Sequence, residues 1–535
     1  MSDSRFQEKL ICRLDEISLN QTKVVLVNDV KICVYRQSSD EILAFGNECS
    51  HFGAPLNSGL IHNDYVVCPW HAACFSIRTG DIEEFPGCDN IPVFKTIIKD
   101  GKVYVLLSED NLRKTMTKSL FRRNISKKDV FLIIGGGPAS FQCAETLRQE
   151  GFIGRIVMVT NEDVSPYDRT KLTKLSTIKI ENIVLRNEDY YKRAQIETLY
   201  KTTCFKIDFE SKIAYFDDCS NLYYDKLFLG TGSRPRKYDE ILDGLENVFY
   251  IRTYKNSNDV VLLAKDKNIV LIGSSFIVVE MAGVLLKIAK SVKIISRSEV
   301  PFAKSLGKQF GTAIKKFLIS KNIEFIFITE KLDFTIENRN LTKIKSNNLD
   351  FPVDLCVIGI GSLPNSEFLK DTEIKLKNSF VEVDENFQTS VNDVYAGGDL
   401  VVFPNKELFG DQLKNIAHWQ VAQSHGRAAA LHMIGKKIRS LSVPFFWSLF
   451  LGKGIKFAGC IDDVENCLVI GDIENLCFAV YYFNDQNYAI GIATMMSEPM
   501  APGFATLLRE NIRLTKEDLK NNGNLWFKEH FLNFN

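Results

Sequence analysis

The chain has 535 residues, enough for roughly three or four domains of ordinary size. Its 66 lysines and arginines balance 66 aspartates and glutamates, so it lacks the basic excess typical of proteins that bind nucleic acid. It contains no run of about 18 apolar residues, which argues against a membrane-spanning helix, and its thirteen cysteines include no Cys-x-x-Cys pair, which favours a reducing compartment.

The first hundred residues predict a small all-β domain. Two turns carry the hairpin signal: Asn28-Asp29 lies between VVLV and VKICVY, and Asp100-Gly101 lies between VFKTIIK and KVYVLL. The stretch from Asn111 to Lys128 then holds seven basic residues and no acidic one. We interpret this stretch as an exposed linker, because a run of like charge is most often solvated.

Two short segments of the β domain each carry one cysteine and one histidine. They are Cys49-x-His51 and Cys68-x-x-His71, and sixteen residues separate His51 from Cys68. A structural zinc site and a Rieske [2Fe–2S] cluster both use two cysteines and two histidines. Zinc fingers normally pair the cysteines first and the histidines later, whereas the alternation here suits two adjacent irons. We predict a Rieske cluster with these four ligands; zinc and incidental core residues are the alternatives.

The segment resembles Rieske ferredoxin-type domains, in which the cluster lies at the tip of two loops. High-potential Rieske proteins carry an extra cysteine in each loop, where this chain has Ala54 and Trp70, and hydroxyl donors where it has Ala72 and Ala73. Fewer hydrogen bonds to the cluster sulfurs stabilise its reduced form less. The resemblance therefore implies a potential at the low end of the Rieske range, about −150 mV. The neighbouring Cys74 is expected to be a small buried residue.

After the linker the sequence changes to strand, glycine turn and helix. VFLIIGGGPASFQCAETLRQEG (130 to 151) has this pattern, and NIVLIGSSFIVVEMAGVLLKIAK (268 to 290) repeats it. In the first unit Gly135 permits the turn and Gly137 lets a pyrophosphate approach the helix N-terminus, while Ser140 stands at the third position. Glu162 follows the next strand, where an acid accepts from a ribose hydroxyl. The two units predict two Rossmann-like α/β domains.

Three further segments resemble, in order, parts of flavoprotein reductases with two dinucleotide-binding domains. They are PYDRTKLTK (166 to 174), LFLGTGSRPR (227 to 236, with Gly232) and TSVNDVYAGGD (389 to 399). The resemblance implies FAD, with Arg169 contacting the cofactor and Asp399 binding its ribityl chain. It also implies that Lys174 lies near the flavin ring and pairs with Glu280.

The second glycine unit matches the NAD(P) site of the same reductases, beginning at Gly273. Ser275 and Val278 stand where glycine is usual, and the bulkier Val278 predicts weaker nucleotide binding. The next strand ends in Ser296-Arg297 without the usual acid, which favours the 2′-phosphate of NADPH. Glu299 is a nearby charge that competes with the phosphate for Arg297. The alternative is that Arg297 simply faces solvent. GIGSLPN (359 to 365), with Gly361, resembles a later nucleotide contact.

IAHWQVAQSHGRAAA (416 to 430) and VPFFWSLFLGKGIKFAG (443 to 459) extend the resemblance over nearly the whole chain. The order of segments resembles Rieske-bearing members of the apoptosis-inducing factor family. That family places aromatic residues near the flavin, here His418, Trp419 and Trp447. The implied fold is multidomain: a Rieske domain at 1–108, a basic linker at 109–128, an FAD-binding domain at 129–252 and 380–440, an NAD(P)-binding domain at 253–379, and a C-terminal α+β domain at 441–535.

The expected function is an oxidoreductase that passes electrons from NADH or NADPH through FAD to the Rieske cluster and on to an unidentified acceptor. The alternative is a redox-sensing or cell-death-signalling protein. A disulfide reductase is disfavoured because Cys-x-x-Cys and Cys-x4-Cys motifs are missing. Relatives associated with mitochondria have a longer N-terminal extension, so cytoplasm is expected and the mitochondrion is the alternative. The oligomeric state and the acceptor are left open.

Overall fold

The computed structural model describes residues 6–108, 111–346, 349–438 and 442–531. In the N-terminal domain the described residues form three small antiparallel sheets, ordered β1–β11–β10, β2–β3–β4–β9 and β5–β6–β7–β8. Their strands are β1 Gln7–Arg13, β2 Thr22–Val27, β3 Val30–Arg36, β4 Ile42–Gly46, β5 Leu60–His62, β6 Tyr65–Val67, β7 Cys74–Ser76, β8 Ile82–Glu84, β9 Val93–Phe94, β10 Thr96–Lys99 and β11 Lys102–Leu107.

Both predicted hairpins are confirmed. Asn28 and Asp29 have φ of 46° and 63°, and Asp100 and Gly101 have φ of 49° and 67°. Two successive residues with positive φ match the twist of the flanking strands, which is why Asn, Asp and Gly are favoured there. The sheet β5–β8 positions the two Cys–His segments: one precedes β5, and the other connects β6 to β7.

The predicted linker, described from Asn111 onward, lies on the surface but is tied to both neighbouring domains. Its backbone pairs Met116 with Asn90, and the Phe121 N–H donates to the Arg148 carbonyl. Ion pairs join three of its basic side chains to acids in the flanking domains: Lys114 to Glu48, Lys118 to Glu150 and Arg123 to Glu197. The predicted exposure is therefore right, but the expectation of a solvated connector is incomplete.

The next segment builds a five-stranded parallel sheet in the order β14–β13–β12–β18–β31. Its strands β12, β13 and β18 are mostly apolar and are buried beyond their first residue, as parallel strands covered by helices must be, whereas the edge strand β14 is partly exposed. The elements up to residue 263 are β12 Val130–Ile134, α1 Pro138–Gln149, β13 Arg155–Val159, α2 Glu188–Ala194, β14 Ile196–Leu199, β15 Cys204–Asp208, β16 Ile213–Phe216, β17 Asn221–Tyr223, β18 Lys226–Leu229, β19 Ser233–Pro235, β20 Val248–Phe249 and α3 Tyr254–Leu263.

A second parallel sheet, ordered β20–β27–β21–β22–β23, repeats this architecture. Its first strand, Val248–Phe249, precedes residue 253, from which this domain was predicted to start; the domain limits stay predictions. The further elements are β21 Asn268–Ile272, α4 Phe276–Leu285, β22 Ser291–Ser296, α5 Ala303–Ser320, β23 Glu324–Phe327, β24 Asp333–Glu337, β25 Asn340–Ser346, β26 Leu349–Pro352, β27 Leu355–Ile358 and β28 Ser362–Pro364.

The chain then returns to the first parallel sheet through β31, which pairs in parallel with β18. These elements are β29 Leu376–Lys377, β30 Phe380–Glu382, β31 Val394–Ala396, β32 Val401–Pro404, α6 Lys406–Phe409, β33 Leu413–Lys414 and α7 Trp419–Met433. Helix α7 packs along α1, the helix that follows the first glycine turn. The predicted limit at 440 and 441 lies outside the described residues.

The C-terminal segment forms an antiparallel sheet, β34–β35–β38–β37–β36, with three helices after it. Its elements are β34 Phe445–Phe450, β35 Lys453–Gly459, β36 Cys467–Asp472, β37 Cys477–Phe483, β38 Ala489–Met495, α8 Met500–Arg509, α9 Lys516–Asn522 and α10 Trp526–His530. The predicted fold class, an all-β domain, two Rossmann-like units and an α+β domain, is confirmed. Across the described ranges, no helix is long and apolar enough to cross a membrane.

Candidate functional site

The four predicted cluster ligands lie together at the tip of the β5–β8 sheet. Cys49 and Cys68 are 3% and 1% exposed, and the two thiols lie close enough for each to shift the pKa of the other. The Nδ1 atoms of His51 and His71 are 3.1 Å apart. Matching backbone hydrogen bonds close the two loops: the Cys49 N–H donates to Ala54, and the Cys68 N–H donates to Ala73.

The ligands form two pairs, not one group of four. Among the described residues, no three Cys, His, Asp or Glu side chains converge where one metal ion could be held. A zinc ion needs four such donors around one centre, whereas a Rieske cluster needs one cysteine pair and one histidine pair on separate irons. Burial lowers the pKa of His51 to about 3 and that of His71 well below its usual value. Both imidazoles are therefore neutral, as ligation requires, and the arrangement fits a [2Fe–2S] cluster better than zinc.

Aromatic side chains surround the two histidines. The Trp447 ring lies 4.4 Å from the His71 ring and 5.5 Å from the His51 ring. Phe52 stacks on His51 at 3.8 Å, and the Lys171 ammonium lies over Phe52 at 4.9 Å. Trp447, a residue of strand β34, thus contacts both predicted histidine ligands; its expected position beside the flavin stays a prediction.

Three arginines of the other domains hold one segment of the N-terminal domain, residues 82–89. Their contacts are Arg186 Nη2 to Asp89 Oδ1 at 2.7 Å, Arg427 Nη1 to the Ile82 carbonyl at 3.0 Å, and Arg509 Nη1 to Glu84 Oε1 at 2.7 Å. Side chains of the N-terminal domain also join the apolar core of the C-terminal domain, among them Leu60 and Cys74. Charge-assisted hydrogen bonds and apolar packing together fix the Cys–His loops against Trp447.

A cleft of about 770 Å³ opens at the carboxyl edge of the first parallel sheet, where such folds bind ligands. Every residue predicted to bind FAD, except Lys174, lines it; the lining includes Gly135, Gly137, Glu162, Arg169, Gly232, Asp399 and Trp419, together with His418. A Cβ on Gly137 would meet no atom within 4 Å, so the backbone at the α1 N-terminus is open to the cleft. The buried His418 Nδ1 has no hydrogen-bond partner among the residues that the structure describes. These features fit a dinucleotide with its pyrophosphate at the helix N-terminus.

Polar side chains shape the walls of this cleft. Glu162 forms an ion pair with Arg169 and accepts a hydrogen bond from the Tyr167 hydroxyl at 2.7 Å. Ser233 donates to the Asp399 carboxylate at 2.8 Å. These partners hold the two predicted FAD contacts, Arg169 and Asp399, in place in the lining of the cleft.

Lys174 and Glu280 form the predicted pair, with Nζ and Oε2 2.8 Å apart. Glu280 is buried, and it also accepts from two hydroxyls that the sequence did not indicate. Thr173 bonds the same oxygen as Lys174, and Ser448 donates to Oε1 at 2.6 Å. Lys174 comes from the first dinucleotide unit, Glu280 from the second and Ser448 from the C-terminal domain, so one carboxylate joins three domains.

The second glycine unit accommodates its two departures. Gly273 has φ of 122°, and Ser275 Oγ donates to the Gly359 carbonyl at 2.8 Å. Val278 is fully buried, and a Cβ on Gly359 would come within 2.8 Å of its methyl group. In the usual motif a glycine at position 278 leaves room between helix and strand. Here Gly359 leaves that room instead, so Val278 gives no steric reason to expect weaker nucleotide binding. Ser140 of the first unit packs in the same way against Gly230.

The residues predicted to choose between NADH and NADPH lie at the end of β22. Arg297 is exposed, and the competing Glu299 pairs with Lys308 at 3.2 Å. Gly361 has φ of 111° and open space at its Cβ position. Arg297 is thus available to a nucleotide phosphate, while Glu299 already has a cation.

Comparison with known proteins agrees with this arrangement. A profile of the pyridine nucleotide-disulphide oxidoreductase family matches residues 129–426, more than half of the chain. The chain belongs to this family. A Rieske [2Fe–2S] domain profile matches residues 7–95 of the same oxidoreductase. Its cofactors are FAD and a Rieske cluster, and NADH or NADPH is its electron donor.

Several relatives cover most of this oxidoreductase. It is 34% identical to apoptosis-inducing factor 3 of Homo sapiens over 96% of its own length and 86% of the relative's. It is 27% identical to rhodocoxin reductase of Rhodococcus erythropolis, over 66% of this chain and 83% of the relative. The putidaredoxin reductase–putidaredoxin complex superposes on 75% of this chain and 98% of that one, with a TM-score of 0.71 and 23% identity. The last comparison shows the fold alone.

Proposed function

We propose that this oxidoreductase carries electrons from a pyridine nucleotide, through FAD, to its own Rieske cluster and then to a one-electron acceptor. The segment 169–174 carries this proposal. At one end Arg169 and Thr170 line the FAD cleft, and at the other Lys171 lies over Phe52, the ring stacked on His51. One short segment thus touches both cofactor sites.

When bound, FAD takes two electrons as a hydride and releases them singly, and the cluster takes one electron at a time. The chain supplies the geometry for this exchange. Lys174 Nζ donates a hydrogen bond to the Thr170 carbonyl at 2.9 Å, which holds the ammonium beside the cleft. The positive charge of Lys174 also contributes to the lowered pKa of His71. Covalent fusion of the two units keeps the cluster at high effective concentration beside the cleft.

Other features support a one-electron route more than the alternatives. No disulfide joins any two cysteines of the described residues, and in that part of the chain only Cys204 lines the cleft, so the redox cysteine pair of a disulfide reductase is missing there. The sensor alternative was supported by Val278, because a bulky residue there was expected to weaken nucleotide binding. The close packing of Val278 against Gly359 removes this support. Several relatives are named as reductases of ferredoxin or rubredoxin, which supports a protein acceptor of one electron.

Replacing Trp447 with alanine is expected to slow reduction of the cluster by at least about tenfold, or about 1.4 kcal/mol in the barrier. The ring fills the contact with His71, so its loss leaves a gap between the cluster ligands and strand β34. Flavin reduction by the nucleotide should not change. Stopped-flow absorbance would follow both steps, and Trp447→Phe, which keeps an aromatic ring, is the matched control. Equal rates of cluster reduction in all three proteins would contradict the role of Trp447.

Arg297 supports NADPH as the donor, whereas relatives named for NAD(+) support NADH. If Arg297 binds the 2′-phosphate, Arg297→Ala should lower kcat/KM for NADPH about tenfold, or about 1.4 kcal/mol, and leave the value for NADH unchanged. Steady-state kinetics with both nucleotides measure this ratio. Equal changes for the two nucleotides would show that Arg297 does not contact the 2′ position. Arg339→Ala, at another exposed arginine of the same domain, is the control.

The compartment stays a proposal. Cysteines that form no disulfide among the described residues support the cytoplasm, and the similarity to apoptosis-inducing factor 3 keeps the mitochondrion as the alternative. Fractionation of cells with detection of the native protein decides between them, because recovery in the mitochondrial fraction would contradict the cytoplasmic assignment.

A further inference from the structure

A buried lysine lies directly behind the second Cys–His loop. Lys456 on strand β35 is only 6% exposed, and its ammonium donates to the Pro69 carbonyl at 3.0 Å. Pro69 follows the ligand Cys68 in sequence. Lys456 is also the register partner of Trp447 across β34 and β35, so the two side chains emerge side by side toward the cluster loops.

Burying an ammonium is costly unless it is paired, so this lysine needs a compensating interaction. Glu498 supplies it through an ion pair, although Glu498 itself is substantially exposed. Burial lowers the pKa of Lys456 and Glu498 opposes that change. The positive charge of Lys456 contributes to the lowered pKa of Cys68 and to that of His71. The proposed route of electrons does not by itself require any of these contacts.

We propose that Lys456 is a positioning residue for the Rieske cluster, anchoring the loop of Cys68 and His71 and raising the reduction potential of the cluster by its buried positive charge. The inference rests on the proposed ligand roles of Cys68 and His71, and not on the identity of the acceptor. Reduction adds one electron to the cluster, with no bond formed or broken in the protein. A nearby cation therefore stabilises the reduced form over the oxidised one.

This role modifies the expectation of a reduction potential at the low end of the Rieske range. Ala72 and Ala73 supply no hydroxyl donors to the cluster, which lowers the potential. Lys456 acts in the opposite direction from the C-terminal domain, about 390 residues further along the chain, and docking of the two domains is what brings it there. We therefore expect the potential of the full-length protein to lie above the value set by the two Cys–His loops alone.

The test is an EPR-monitored redox titration of the full-length, cluster-loaded protein with dithionite. Lys456→Met should shift the ratio of reduced to oxidised cluster about tenfold toward the oxidised form at fixed potential, which is about 59 mV for a one-electron couple. Lys456→Gln keeps a donor for Pro69 without the charge and should show the same shift. Lys453→Met, which removes a lysine from the same strand, should leave the potential unchanged.

The outcomes separate this inference from the proposed function. Loaded Lys456 variants with the wild-type potential would overturn it. Variants that keep FAD and native circular dichroism but lose the cluster, while Lys453→Met stays loaded, would support the anchoring role. Loss of FAD and of the fold in both Lys456 variants would assign the lysine to general stability and overturn the inference. A wild-type protein that shows no Rieske signal would instead contradict the ligand assignment itself.

Discussion

Replacing Cys68 with alanine is expected to abolish the Rieske EPR signal and leave FAD bound. Cys68 and Cys49 form the proposed cysteine pair, in which each thiol shifts the pKa of the other, so the loss of Cys68 leaves one iron with a single cysteine ligand. The FAD cleft draws its lining from residues 134 onward and should be unaffected. Iron and sulfide analysis together with EPR of the dithionite-reduced protein measure the effect, and transfer to a one-electron acceptor should fall to the background level.

Cys74→Ala is the matched control for this change. Cys74 lies in the same sheet and is equally buried, but it packs into the C-terminal core. Burial raises the pKa of Cys74 to about 12, as expected for a small residue packed in an apolar core. A Rieske signal retained in Cys68→Ala, or lost equally in both variants, would contradict the assignment of the four ligands.

Replacing Glu280 with glutamine is expected to slow flavin reduction by NADH or NADPH about a hundredfold, or about 2.7 kcal/mol. The carboxylate accepts from Lys174, Thr173 and Ser448. A glutamine keeps the size of the side chain but removes the charge that pairs with Lys174. Its amide nitrogen is a donor, so it cannot accept the hydrogen bonds that a carboxylate oxygen accepts. Truncation of one member of a buried ion pair typically costs about 3–5 kcal/mol, part of which reorganisation recovers.

Stopped-flow bleaching of the flavin measures this step directly. Ser448→Ala removes one charge-assisted hydrogen bond to the same carboxylate but keeps the ion pair with Lys174, and should cost only about 1.5 kcal/mol, or roughly tenfold. Reduction by dithionite, which needs no docked nucleotide, should proceed at the wild-type rate in both variants. A Glu280→Gln protein that NADPH and NADH reduce as fast as the wild type would show that the ion pair is only a link between domains.

The features that local sequence predicts well are those set by a few adjacent residues. The Asn28-Asp29 hairpin needs two residues that tolerate positive φ. The turn at Gly135 needs a glycine between a buried strand and a helix. The alternating order of Cys49, His51, Cys68 and His71 predicts two pairs of ligands, and the structure forms a histidine pair and a cysteine pair from them.

The features that the sequence did not predict depend on residues far apart in the chain. Val278 suggested crowding because Gly359, which makes room for it, is 81 positions away. Adjacent residues on a strand point to opposite faces, and so Trp447 contacts His71 while Ser448 bonds Glu280. A strand pattern indicates that the two side chains diverge, but only the docking of three domains determines what each one meets.

The central claim, that electrons pass from the nucleotide through FAD to the fused cluster, is tested most directly by anaerobic titration. The purified, cluster-loaded protein would be titrated with NADPH and, separately, with NADH, with flavin absorbance and cluster EPR recorded at each addition. We predict that the flavin bleaches and that the Rieske signal then grows. Bleached flavin without any Rieske signal would contradict the claim, because the two sites would then lack electronic contact. An unbleached flavin with both nucleotides would contradict the assignment of the second glycine unit.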